Sequence, residues 1–162
     1  MKKTLLGFVL VFGIIMSQVV TAGAQRSVVG YWKTGGLGMI NEVNTVTGQT
    51  KNNRGKTFSY RFAADGTYTF VGYMESTMFG CTTSLFNEIN GRYLVDGTTI
   101  FLNPSRDAWK NTYSCFPNSN RSELKTPTKK SLEFGFKTDQ YGKDFICLND
   151  GGVETCYRLE KE

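Results

Sequence analysis

Cys147 and Cys156 lie nine positions apart around Asn149-Asp150-Gly151-Gly152, and this spacing leaves the segment few ways to fold. Adjacent glycines suit a two-residue type I′ turn, which needs positive φ at both central positions. With Gly151-Gly152 as that turn, Asp150 faces Val153, Asn149 faces Glu154, Leu148 faces Thr155 and Cys147 faces Cys156. Counting outward puts the cysteines in a non-hydrogen-bonded pair, where side chains across an antiparallel ladder come closest. The expected structure is a hairpin closed by its own disulfide. Four cysteines allow three connectivities, and with this pair taken Cys81 and Cys115 are left to join two loops. In the chain-entropy model each bridge stabilises by roughly 3–4 kcal/mol. No metal site is expected, since the chain has no histidine and no close C-x-x-C pair.

The rest of the chain repeats the hairpin pattern. Phe58, Tyr60 and Phe62 fall on one strand face by strict alternation, as do Tyr68 and Phe70. With Gly66 as the left-handed residue of a three-residue loop, Phe62 faces Tyr68 and Tyr60 faces Phe70. Such aromatic pairs are worth roughly 0.2–1 kcal/mol each. Asp96-Gly97 marks a second hairpin, in which Val95 is expected to face Thr98 and Tyr93 to face Ile100. A third joins Leu132–Phe136 to Asp144–Leu148 through a turn at Thr138–Gly142, and the cysteine hairpin ends in Tyr157–Leu159. Residues 75–87 and 104–130 read as long irregular stretches, with room for a short helix near Arg106–Lys110. No segment after the leader has a sustained helical period. The expectation is an all-β antiparallel meander whose roughly eight strands close as an up-and-down barrel, which removes exposed edges. A sandwich is the alternative.

The first 24 residues read as a secretory signal peptide. Lys2 and Lys3 precede an apolar run from Leu5 to Met16, and Ala22-Gly23-Ala24 offers a small-residue cleavage site before Gln25. The apolar run is shorter than the about 20 residues that span a bilayer. Removing 24 of 162 residues leaves 138, one domain from 25 to 162. The expected product is an exported, periplasmic or extracellular monomer with no membrane span after cleavage. Without Lys2 and Lys3 the net charge falls from +5 to +3. That is too small and too scattered for nucleic acid. The densest basic stretch, Arg121, Lys125 and Lys129-Lys130, reads as a solvated loop.

Gly30-Tyr31-Trp32 on the first expected strand, Arg158 on the last, and the hairpin pattern between them resemble the lipocalins and wider calycin barrels. The wording is especially similar to small bacterial exported lipocalin-like domains: Gly-x-Trp, then Asp65-Gly66-Thr67-Tyr68, then Gly91-Arg92-Tyr93 ahead of Asp96-Gly97. The resemblance covers most of residues 28–160. It implies that Trp32 packs at the closed barrel end under Arg158, a guanidinium over an indole being worth roughly 0.5–2 kcal/mol. The family's Thr-Asp-Tyr is not cleanly present. Thr138-Asp139-Gln140-Tyr141 comes near it, but a turn accounts for these residues.

Much chemistry is excluded. Without histidine there is no Ser-His-Asp, Cys-His or His-metal site. Oxidised cysteines leave no thiol nucleophile. Carboxylate pairs such as Asp139 with Asp144, or Glu88 with Asp96, read as solvated surface, and Asn149–Gly152 as a turn rather than a calcium loop. No enzymatic activity and no cofactor are expected. Twelve Phe and eight Tyr either fill a small barrel or line a cavity, with Tyr60, Phe62, Tyr68, Phe70, Phe134 and Phe136 as candidate ligand-binding residues. The resemblance implies a non-enzymatic carrier or scavenger of a small apolar molecule. The alternative is a protein-binding barrel that inhibits a secreted or host hydrolase. It would act through Gln25-Arg26-Ser27 or through loops pinned by Cys81 and Cys115.

Overall fold

A computed structural model of the chain describes residues 26–43 and 50–161, with side chains at 26–35 and 55–161. The leader at 1–24 and Gln25 lie outside the described residues. Nine strands follow one another: β1 (Gly30–Val43), β2 (Thr50–Phe62), β3 (Thr67–Met78), β4 (Cys81–Asp96), β5 (Thr99–Tyr113), β6 (Arg121–Lys125), β7 (Lys130–Thr138), β8 (Asp144–Asp150) and β9 (Val153–Glu160). All pairings are antiparallel. Each strand pairs with the next except β6, which pairs with β5 alone, and β5 also passes its edge to β7. β9 returns to β1 through Tyr31↔Glu160, Trp32↔Leu159 and Lys33↔Arg158. Eight strands therefore form a closed ring, and β6 stands outside it. The edge of β5 is shared, its residues 99–102 pairing with β7 and its residues 107–111 with β6.

Local turn chemistry sets much of the register. Gly151 and Gly152 have φ of 61° and 92°, and Cys147 faces Cys156 with Cα atoms 3.9 Å apart. Both disulfides form as the spacing predicts, Cys147–Cys156 and Cys81–Cys115. Gly66 has φ of 79°, and Phe62↔Tyr68 and Tyr60↔Phe70 pair as expected. The Asp96-Gly97 hairpin is corrected by one position. Asp96 pairs with Thr99, Val95 with Ile100 and Tyr93 with Leu102, so the turn is Gly97-Thr98. Gly97 has φ of 55° and Thr98 stays out of the positive-φ region, which is the type II′ demand for glycine in the first central place. The facing set moves by two residues on one strand, so every side chain keeps its face. The third turn occupies 139–143, where the Asp139 carboxylate accepts from the Tyr141 and Lys143 amides at 2.9 and 2.8 Å.

The two stretches expected to be irregular are mostly strand. Residues 75–87 belong to β3 and β4, joined by a two-residue turn at Phe79-Gly80 with φ of 49° and 80°. A phenylalanine in that conformation is strained, so the first residue of the turn does not announce it. No helix forms at Arg106–Lys110, because that segment is the middle of β5, held between β4 and β6. Inside 104–130, only the 3₁₀ turn Pro117–Ser119, β6 and their flanking loops follow β5.

One bulge interrupts β4–β5. Between Asn90 and Gly91 the register slips, and Gly91 faces Pro104. Pro104 has no N–H to give the ladder and so suits a bulge. A Cβ on Gly91 would run into the Asn103 carbonyl oxygen and lie 2.6 Å from the Pro104 Cα. Below the bulge lies the core. Phe62, Ile100, Leu132 and Ile146 are fully buried, and Trp32 is 2% exposed. The turn after β2 folds over this end, where the Tyr93 hydroxyl donates to the Ala63 carbonyl at 2.9 Å.

Candidate functional site

Inward-facing residues run round the ring in rows of cross-strand partners. Trp32, Tyr60, Phe70, Ile89 and Asp107 form one row, and Thr34, Phe58, Gly72, Asn87 and Trp109 form the next. The first row begins in the packed core and ends on a carboxylate. Between these rows and the inner faces of β7, β8 and β9 lies a cavity of about 820 Å³. Its deep wall includes the buried Tyr68, Leu102, Leu132, Leu148 and Tyr157. Exposed Lys56, Thr128, Lys130, Asp150 and Val153 line it where it meets solvent. The volume falls within the about 300–1,000 Å³ usual for small-molecule sites.

Tyr60, Tyr68 and Phe70 line this cavity. Phe62, Phe134 and Phe136 do not. Phe62 is core, 4.9 Å from the Tyr93 ring, and Phe134 and Phe136 stack edge-on 5.6 Å apart, with Phe136 5.9 Å from Trp32. One end of the ring is thus filled and the other hollow. Strand alternation shows which of these residues share a face, but neither whether that face points inward nor how deep each residue lies.

Arg158 is not where the resemblance places it. It neighbours the inward Tyr157, pairs with Lys33 on the outer face, and donates to the Glu160 carboxylate at 2.6 Å. Period-two alternation makes Leu159, not Arg158, the partner of Trp32. The Trp32 indole N–H donates instead to the Val28 carbonyl at 2.7 Å, so the entering chain caps this end. The described cation–π contacts are Arg61 over Tyr31 and Lys125 over Trp109.

Polar groups punctuate the apolar lining. The Asn87 amide donates to the Asp107 carboxylate at 2.8 Å and to the Ala108 carbonyl at 3.2 Å. Lys130 pairs with Asp150 at 2.7 Å. Burial raises the pKa of Tyr60 far above the phenol range, helped by Tyr157, Tyr68 and Asp150. Burial, then the charge of Asp107, pushes Tyr68 up to about 12, and burial, then Asp150, does the same for Tyr157. Raised folded-state values mean that the neutral phenols stabilise the fold fully below the unfolded value near 10, and that this stability is lost as pH rises towards 12. Urea unfolding is therefore expected to show level stability up to about pH 9 and a fall above pH 10. Phenolate absorbance should rise together with loss of far-UV ellipticity. Full tyrosine ionisation in a still-folded chain would contradict the burial.

The other candidate clusters are spoken for. Asn149 Oδ1 accepts from the Gly152 amide at 2.9 Å, and Asp150 pairs with Lys130 at 2.7 Å, so both polar side chains of the glycine turn have protein partners. Cys147, Glu154 and Cys156 come close together, but both sulfurs are in the disulfide and offer no thiolate. Asp139 holds its turn, Asp144 accepts from Thr138 at 2.8 Å, and Glu88 binds Arg106 at 2.7 Å. Arg26 donates to Thr138 at 2.8 Å, which ties the start of the described chain to the β7–β8 hairpin. Among the described residues no helix is long and apolar enough to cross a membrane.

Sequence reasoning missed Asn87, Asp107, Trp109 and Tyr157. The first three fall in or beside stretches read as irregular. The available signal was the period-two order of Asp107, Trp109 and Asn111, hidden by the helix-like polarity of their neighbours. No protein-family model, curated protein or solved structure matches this chain.

Proposed function

We propose that this chain is a non-enzymatic, exported binding protein that carries or scavenges a small, largely apolar molecule inside its ring of strands. The observation that carries the reading is the cavity of about 820 Å³ walled by Phe58, Tyr60, Tyr68 and Phe70. A ring built only for stability would fill both ends, because each unfilled space forfeits packing energy. The lipocalin-like wording of the first strand and hairpins agrees with such a carrier, and the two disulfides suit an oxidising compartment.

Native mass spectrometry on non-reduced protein from an export-competent host tests this. An adduct of small mass, released on denaturation, is the expected result. The same spectrum reads the N-terminus against Gln25 and the mass deficit of two disulfides. A clean apo mass, with no uptake of apolar probes, would overturn the carrier reading.

A second reading, a protein-binding inhibitor, is favoured by one feature. Phe79 is fully exposed in a strained left-handed conformation at the β3–β4 tip, beside exposed Met78, and the Cys81–Cys115 bridge ties the base of that tip to the segment bearing exposed Phe116. Strain of this kind, about 1–3 kcal/mol, persists only where the surroundings hold it. An apo mass would turn the search to protein partners seated on this tip.

A further inference from the structure

We propose that the molecule held in this cavity is an amine with an apolar body, its ammonium met by the Asp107 carboxylate. The inference rests on the carrier reading and names the chemistry of its ligand. Asp107 ends the row Trp32, Tyr60, Phe70, Ile89, and it forms part of the cavity wall. Asp107 is partly buried in a wall that also holds Tyr68, Phe70 and Trp109, and a carboxylate drawn partly out of water favours a cation beside it. Among the described residues no lysine or arginine makes an ion pair with Asp107, and the neutral Asn87 amide donates to it at 2.8 Å.

The lysines nearby are engaged elsewhere or stand in solvent. Lys125 is the cross-strand partner of Asp107, yet its ammonium lies 3.9 Å from the Trp109 ring centroid and 3.5 Å from Glu123. Lys130 is neutralised by Asp150 at 2.7 Å. Lys56 is exposed, two rows further out than Tyr60. Asp107 and Tyr68 line the same cavity, and the charge of Asp107 is felt at the Tyr68 phenol. A primary ammonium has three donors to give. One meets the carboxylate, and the rings of Tyr68 and Phe70 offer cation–π faces beside it. The apolar body then lies along Phe58, Tyr60 and Leu102.

Three probes of one shape separate the possibilities: 4-phenylbutylamine, 4-phenylbutanol and 4-phenylbutyrate, titrated calorimetrically into the disulfide-bonded protein at pH 7. The amine is expected to bind about ten-fold or more tighter than the alcohol, because charge-assisted bonds are roughly twice as strong as neutral ones, and the carboxylate to bind weakest. Asp107→Asn should erase the preference for the amine while leaving the affinity for the alcohol in place, and Asp107→Glu should keep the preference. Equal binding of amine and alcohol by the unaltered protein overturns this proposal and leaves the carrier reading standing. Binding of none of the three overturns both. The comparison in the unaltered protein stands even if a variant fails to fold.

Discussion

Trp32→Ala is expected to lower the stability of the fold by about 3–5 kcal/mol, the usual cost of removing a large aromatic from a packed core. Trp32 is 2% exposed. Its indole N–H is bonded to the Val28 carbonyl at 2.7 Å, and its ring lies 5.9 Å from Phe136. Truncation opens a cavity at the filled end of the ring and strands the Val28 carbonyl in it. It also loosens the β1–β9 seam, which Trp32 joins through Leu159. Urea unfolding at neutral pH checks the value. Arg158→Ala is the companion variant. Because Arg158 faces outward beside Glu160, its loss should change stability by no more than about 0.5 kcal/mol. A large loss from Arg158→Ala, or a small one from Trp32→Ala, would mean that this end is sealed by the guanidinium after all.

Gly91→Ala is expected to be nearly as damaging, although it adds a single methyl group. The new Cβ would collide with main-chain atoms, the Asn103 carbonyl oxygen and the Pro104 Cα at 2.6 Å, and main chain in a paired sheet cannot turn aside as a side chain can. Overpacking usually costs about 1–3 kcal/mol, and a clash with backbone at a bulge belongs at or above the upper end. Gly135→Ala provides the contrast. A Cβ there meets nothing within 4 Å, so the substitution should be neutral or stabilise by up to about 0.4–1 kcal/mol through the unfolded chain. If both variants behaved alike, the close approach of β4 to β5 at the bulge would be wrong. The bulge also matters to the cavity, since it re-aims the half of β5 that carries Asp107 and Trp109.

These two sites differ in how far they can be read from residues alone. Trp32 is legible as core from its place in an apolar strand beside glycine, whereas its supposed cap, Arg158, was placed by resemblance and falls on the wrong face. The clash at Gly91 is invisible in the sequence, because it depends on which residue of β5 lies opposite. Pro104 hints at an irregular ladder but does not name its partner. Likewise, Phe79-Gly80 carries no turn signal in its first residue, so a long hairpin passes for a loop.

What the sequence determined by itself is the local part of this protein: the all-β class, the turns at Gly66 and Gly151-Gly152, the aromatic pairs across β2 and β3, and both disulfides. Those follow from φ demands and period-two alternation over a few residues, which no distant contact overrides. The tertiary structure alone decided depth and closure. Only the ring of eight strands assigns Phe62, Phe134 and Phe136 to the filled end and Tyr60, Tyr68 and Phe70 to the hollow one. Only the register across five strands sets Asp107 at the end of the row that runs from Trp32 through Tyr60, Phe70 and Ile89. Each of these depends on the summed stagger of many pairings, and a single bulge or a one-residue turn shift moves that sum without leaving a mark on local composition.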